Sequence, residues 1–252
     1  MSSMDGKTAI VTGGGSGIGE AIVRLFAERG ANVVVADVNE AAARRVAGGL
    51  DGGRGFAVRC DVSDESQVGR LAAATVERFG GIDAVINNAS VILPKRIEDV
   101  EASEWSRTMD VNAKSVFLLS KACLPELRGR RGSIVNVASL NGLVGQRNNA
   151  VYAASKGAVV AFTKALALDC APDGVRVNCV CPAGVMTPLL ESWIELQPDP
   201  EAARRSLDAM HPLGRCATPE ETAQAVFYLA SGEAGFVTGV ALPVDGGASL
   251  GY

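Results

Sequence analysis

A single rhythm constrains this chain more than any other feature. Short apolar runs rich in Val, Ile and Ala recur at 7–12, 32–37, 55–61, 83–88, 133–139, 175–180 and 240–244. Between them lie stretches of helical period: 18–29, from about Glu40, from about Asp64, about 103–128, the stretch after Tyr152, and Pro219 to Ala230. Side chains alternate faces along a strand, so a strand apolar at every position is covered on both faces. Parallel neighbours need crossover helices. The alternation therefore predicts a doubly wound parallel α/β sheet flanked by helices on both faces. Residues 187–217 show neither period and read as irregular. No linker, repeat or low-complexity stretch divides the chain, so one domain spanning 1–252 is expected.

Composition removes several functions. Lys and Arg number 24 against 28 Asp and Glu, a net charge of -4, which gives no general attraction for nucleic acid or anionic membranes. No apolar run reads as the ~20 residues of a membrane span, and no signal peptide is visible, so a cytoplasmic protein is expected. Of the six cysteines, Cys179 and Cys181 come closest in sequence; they share one side of a strand, a poor geometry for a disulfide, and all six read as buried small hydrophobes. One histidine, His211, rules out a multi-imidazole zinc site and reads as an incidental loop residue, so no metal is predicted.

T-G-G-G-S-G-I-G (12–19) follows the first strand and opens the first helix. Its spacing, Gly13-x-x-x-Gly17-x-Gly19, departs from G-x-G-x-x-G but serves the same physics. Glycines let the backbone turn tightly and approach a pyrophosphate resting on the helix N-terminus, with Ser16 and Ile18 in the turn. Asp37 ends the second strand, where a carboxylate accepts both hydroxyls of an adenosine ribose and repels a 2′-phosphate; its neighbours Ser16 and Val38 are neutral. The expected cofactor is NAD(H) rather than NADP(H). Asp61, ending the third strand, reads either as the partner of the adenine amino group, with Val62 against the ring, or as a helix cap.

Y-A-A-S-K (152–156) places Tyr152 and Lys156 one helical turn apart on one face. A free phenol, with a pKa of ~10, is a poor base at neutral pH. A lysine charge ~4 Å away, at an effective dielectric of ~20, favours the phenolate by roughly 4 kcal/mol, enough to bring it near pH 7. Burial opposes this, so the figure is an upper limit.

These segments, with N-N-A-S (87–90), Asn112, Ser139, Asn178, P-A-G-V-M-T (182–187) and V-D-G-G (244–247), resemble the short-chain dehydrogenase/reductase family over almost the whole chain. The resemblance implies a Rossmann-type fold, often tetrameric, and a catalytic set of Asn112, Ser139, Tyr152 and Lys156. It implies that Lys156 also holds the nicotinamide ribose, and that Asn112 holds a water linking that lysine to solvent. Asn88 and Ala89 would brace the cofactor strand. Pro182 and Val185 would line the cofactor, and Thr187 would contact its carboxamide or pyrophosphate. Ser90 and Ala183 stand where the family more often has glycine.

The expected reaction interconverts a secondary alcohol and a ketone on a small-molecule substrate. The alternatives are a 3-oxoacyl-(acyl-carrier-protein) reductase, with Arg128, Arg130 and Arg131 as the carrier's docking patch, and a non-catalytic NAD-binding regulatory protein. Q-R-N-N (146–149) tilts the substrate towards a polyol, sugar or hydroxy acid. Leu189, Leu190, Trp193 and Ile194, in segment 188–210, read either as a lid or as a packing face.

Overall fold

In the computed structural model, which describes residues 4–250, one parallel sheet holds seven strands in the order β3-β2-β1-β4-β5-β6-β7. These are β1 Thr8–Thr12, β2 Asn32–Asp37, β3 Gly55–Arg59, β4 Ala84–Asn87, β5 Ser133–Val137, β6 Arg176–Pro182 and β7 Ala241–Val244. β1, β4 and β5 are buried at every position, as their near-continuous runs of Val, Ile and Ala predict. One face packs on α1 (Gly17–Glu28), α2 (Glu40–Gly48) and α9 (Pro219–Ala230), where Phe26 and Phe227 meet edge to face at 5.3 Å. The other packs on α3 (Glu65–Phe79), α5 (Ser115–Arg130) and α6 (Ala150–Cys170). The chain winds from β1 outward to β3, then crosses to β4 and winds the other way. Such a reversal leaves a crevice at the carboxyl ends of β1 and β4, where open parallel sheets bind ligands.

Two stretches differ from the expected elements. The helix expected at 103–128 is α4 (Ala102–Met109), a single π-helical turn at Asp110–Lys114, and α5. The irregular segment contains α7 (Pro188–Glu195) and α8 (Pro200–Ala209). Proline at the first helical position loses no hydrogen bond, and each is preceded by a cap: Thr187 Oγ1 accepts from Leu190 N, and Asp199 Oδ1 from Ala202 N. The T-P and D-P pairs were the signal. α7 packs chiefly against α8 rather than the sheet, as a lid would; Ile194 is buried and Trp193 exposed, while the Leu189 side chain lies outside the described residues. Residues 150–173 are long and apolar enough to cross a membrane by composition, contrary to the expectation of no such run. Here that helix is a crossover on the sheet.

Candidate active site

The glycine turn is built for close approach. Gly13 and Gly17 hold φ of +62° and +53°. A Cβ on Gly19 would sit 2.0 Å from Gly13 O, and one on Gly17 would lie 3.3 Å from Thr187 Cγ2. The P-A-G-V-M-T loop thus touches the glycine turn, although 170 residues of sequence separate Gly17 from Thr187. Asn88 seals the turn from β4, its Nδ2 donating to Thr12 O (2.9 Å) and Gly13 O (3.2 Å). Ser16 stands exposed at the N-cap of α1 with a side chain that caps nothing, and Ile18 packs on the core. A cradle of this shape, closed to any side chain, fits a pyrophosphate at a helix N-terminus. Asp37 Oδ2 accepts from Gly15 N at 3.0 Å, so the carboxylate stands at the cradle's rim. The nearby guanidinium of Arg45 is held by Glu20 at 2.6 Å and by Gly15 O, and Val38 is 60% exposed.

Asp61 does not cap α3. Its Oδ1 accepts from Ser63 N and Oγ, bonds that hold its carboxyl below the usual range, while Asp64 takes Ser66 N and Gln67 N as the cap. A two-residue Asx turn and a cap one turn later read alike in C-D-V-S-D. Val62 is buried next to it in sequence; far across the sheet, Pro182 at the end of β6 and Val185, which bridges to Ala217, are buried as well. Ala89 N donates to Thr12 Oγ1 at 3.1 Å.

At the carboxyl ends of β4 and β5 the remaining candidates converge. Lys156 is buried; its Nζ donates to Val137 O at 2.8 Å and lies 5.7 Å from the centroid of the Tyr152 ring. Ser139 and Ser90 flank the phenol, and both favour its ionised form. Burial outweighs them: the Tyr152 phenol is held above its ordinary value, not brought near neutrality by Lys156 alone. The lysine is the group that moves down, to about 8, because burial removes solvent from its ammonium.

The Asn112 side chain has no free capacity for the relay expected of it. Oδ1 accepts from Val91 N (2.8 Å) and Ser90 Oγ (3.2 Å), and Nδ2 donates to Val91 O (2.8 Å) and Ser155 Oγ (3.0 Å). Ser155 in turn donates to Tyr152 O at 2.7 Å. Asn112 therefore ties the end of β4 to the tyrosine helix, and the π-helical turn it occupies is what aims it there. That part was invisible in sequence.

Asn141 and Asn149 both donate to Gln146 Oε1, at 2.6 and 3.0 Å, forming a polar rim between Ser139 and Tyr152. Asn87, Asn136 and Thr163 form a buried chain beneath it. Cys179 and Cys181 are free and buried on one side of β6, as expected, with thiols facing each other near Lys156. His211 is not incidental: its ring is buried and bonded at both nitrogens. A cavity of about 530 Å³ lined by Lys7, Asp83, Arg131 and Arg176 opens at the amino-terminal edge of the strands, away from all of these.

Two outcomes follow from this geometry. A Lys156 pKa of about 8 when folded and 10.5 when unfolded means that the unfolded chain binds more protons between those pH values. Stability relative to Lys156→Met therefore rises with pH across the window by up to about 3 kcal/mol and is flat below it. Denaturant unfolding of both proteins at its two ends checks the sign; a difference that stays constant or falls contradicts it. In Gly19→Ala the new methyl meets the backbone carbonyl of Gly13, and the cradle cannot stay closed.

A strand-turn-helix cradle with Asp37 at its rim, and Ser139, Tyr152 and Lys156 gathered beyond the ends of β4 and β5, make the geometry that a nucleotide-dependent dehydrogenase needs. Residues 13–249 match the family described as Enoyl-(Acyl carrier protein) reductase, and the chain belongs to the short-chain dehydrogenase/reductase family. It is 46% identical to L-fucose dehydrogenase of Bos taurus, over 98% of this chain and 91% of that protein. It is 42% identical to meso-2,3-butanediol dehydrogenase of Serratia marcescens, over 97% and 95%. A 3-ketoacyl-(acyl-carrier-protein) reductase from Brucella melitensis, solved with NADH, superposes with a TM-score of 0.89 at 38% identity, over 97% of this chain and 99% of that one. The protein is an oxidoreductase acting on CH–OH groups.

Proposed function

We infer that this enzyme interconverts a polyhydroxylated alcohol, a sugar or cyclic or vicinal diol, with its ketone or lactone using NAD(H). The observation that carries the cofactor choice is Asp37 at the rim of the glycine cradle, with Arg45, the cation bonded to that turn, neutralised by Glu20. The NADH bound by the Brucella melitensis structure agrees in kind. The double variant Asp37→Ser, Val38→Arg is expected to move the NAD/NADP ratio of kcat/KM by about 100-fold or more towards NADP, the scale of one charge repulsion exchanged for one charge-assisted bond. An unchanged ratio contradicts the assignment.

When bound, the nicotinamide supplies the hydride acceptor or donor. The chain's residues do the rest. Ser139 and Tyr152 hydrogen-bond the reacting oxygen, Tyr152 moves its proton, and Lys156 holds the nicotinamide ribose and biases the phenol by its charge. Since burial holds the phenol high, the positive charge of Lys156 is the chain's own downward pull, and an oxidised nicotinamide would add to it. Asn112 fixes the tyrosine helix through Ser155.

The polar rim of Gln146, Asn141 and Asn149 supports a substrate with several hydroxyls, and the names of the fucose and butanediol relatives point the same way. The carrier-protein alternative is weakened rather than removed: of its three arginines, Arg128 pairs with Asp173 at 2.7 Å and Arg130 lies near Asp83 and Glu126, while Arg131 stays exposed. A homotetramer is supported by apolar side chains left exposed on the outer helices, Phe117 on α5 and Leu168 on α6.

A further inference from the structure

The chain's one histidine lies just beyond α8, 3% exposed, and no catalytic step uses it. Nδ1 is 2.9 Å from Leu207 O, one helical turn back, and Nε2 is 3.1 Å from Gly184 N, in the loop between β6 and α7. A carbonyl only accepts and an amide N–H only donates, so the ring must carry its hydrogen on Nδ1 and leave Nε2 bare. Only neutral imidazole makes both bonds.

The approach is close by construction. A Cβ at Gly184 would lie 2.9 Å from His211 Cε1 and 2.8 Å from Cys216 Sγ. Gly184 O accepts from Ala217 N (2.9 Å) and Met186 N donates to Ala217 O (2.8 Å), so the 184–186 turn is also pinned to the chain a few residues beyond the histidine. Helices α7 and α8 leave the body after this turn and rejoin it at His211. The imidazole therefore staples the two feet of that excursion together, beside Thr187 at the glycine turn.

No acid is aimed at the ring. Asp208 Oδ1 accepts from Cys216 N at 3.0 Å, and Asp245 turns its carboxylate to Gly247 N and Ser249 N. The Cys216 thiol is pushed up by burial and by the neighbouring Asp208 carboxylate, with Arg204 opposing from α8. Arg215 pairs with Glu221 at 2.6 Å. A proton added to Nε2 would thus face the Gly184 N–H, donor against donor, with no carboxylate among the described residues bonded to the ring to receive it.

We propose that His211 is a positioning residue: its neutral ring latches the α7–α8 lid to the 183–187 loop, and its protonation releases that latch and weakens cofactor binding. The inference rests on the reading that this loop borders the nicotinamide end of the site. It leaves proton transfer at Tyr152 untouched.

The test uses the full chain, with NADH as the probe. As pH is lowered through the titration of the imidazole, the NADH dissociation constant of the wild type rises by about tenfold, the effect of one hydrogen bond to a buried group. His211→Phe, which keeps a flat ring without nitrogens, has the weakened constant at every pH, with kcat within about threefold of wild type. His211→Gln, able to donate and accept, recovers part of the affinity and loses the pH response. Nitrogen-15 NMR of the wild type needs no variant to fold: it should report the Nδ1–H tautomer, titrating together with NADH affinity. An Nε2–H tautomer, or NADH affinity unmoved across the imidazole titration, overturns the latch. A wild type that binds NADH but oxidises no alcohol would instead overturn the proposed function and leave the latch standing.

Discussion

Tyr152→Phe will bind NADH as the wild type does and turn over alcohols slower by about 10³-fold, within the range that a positioned general acid–base supplies. The expectation is sharp because the substitution removes one oxygen and little else. The phenol's neighbours, Ser139 and Ser90, keep their places: Ser139 Oγ still accepts from Asn141 N, and Ser90 Oγ still donates to Asn112 Oδ1. The lysine keeps its bond to Val137 O. Steady-state NADH formation measured by near-ultraviolet absorbance, beside an NADH fluorescence titration, separates chemistry from binding. A variant that loses both together would show that the hydroxyl holds the site together rather than moving a proton. A variant that keeps turnover would remove tyrosine from the mechanism.

Gly19→Ala will abolish measurable cofactor binding, raising the dissociation constant by at least about 100-fold, and will lower stability by several kcal/mol. The reason is a collision rather than a lost contact. The new methyl would stand 2.0 Å from the carbonyl oxygen of Gly13 and 2.7 Å from Asn88 Nδ2. A backbone carbonyl in a turn with φ of +62° has no rotamer to escape into, so α1 must move away from β1. That movement breaks the cradle and the Asn88 bonds that close it. By contrast, alanine at Gly48, where nothing lies within 4 Å, should leave binding unchanged. Isothermal titration with NADH and thermal unfolding of both variants make the comparison. Tight binding by Gly19→Ala would mean that the turn is not the phosphate site.

Much of this molecule was legible because its strands are read by periodicity and its site by residue type. The parallel sheet follows from runs such as N-V-V-V-A-D, which cannot face water on either side. The glycine cluster, Asp37 and the Tyr152–Lys156 pair occupy the strand ends and helix turn where the pattern put them. What escaped were consequences of burial and of contacts across the chain. Nothing local says that Tyr152 is held above its usual range, since that depends on what covers it. Nor does the sequence near Asn112 announce a π-helical turn or four hydrogen bonds to Ser90, Val91 and Ser155. His211 reads as a loop residue in M-H-P-L-G because its partner, Gly184, stands 27 positions away. The helices at Pro188 and Pro200 were missed for a different reason. Their T-P and D-P starts were visible; after Pro200 too few apolar positions follow to mark a periodic face, and after Pro188 the face of Leu189, Leu190, Trp193 and Ile194 spans too few turns to set a helix apart from a loop.

The central claim is tested most directly by a crystal structure of the protein with NAD(H) and a polyol or aldose in the crevice. The account predicts the Tyr152 phenol oxygen and the Ser139 hydroxyl both within about 3 Å of the oxygen being oxidised, with Lys156 at the nicotinamide ribose. A filled site in which the phenol points away from that oxygen would contradict it.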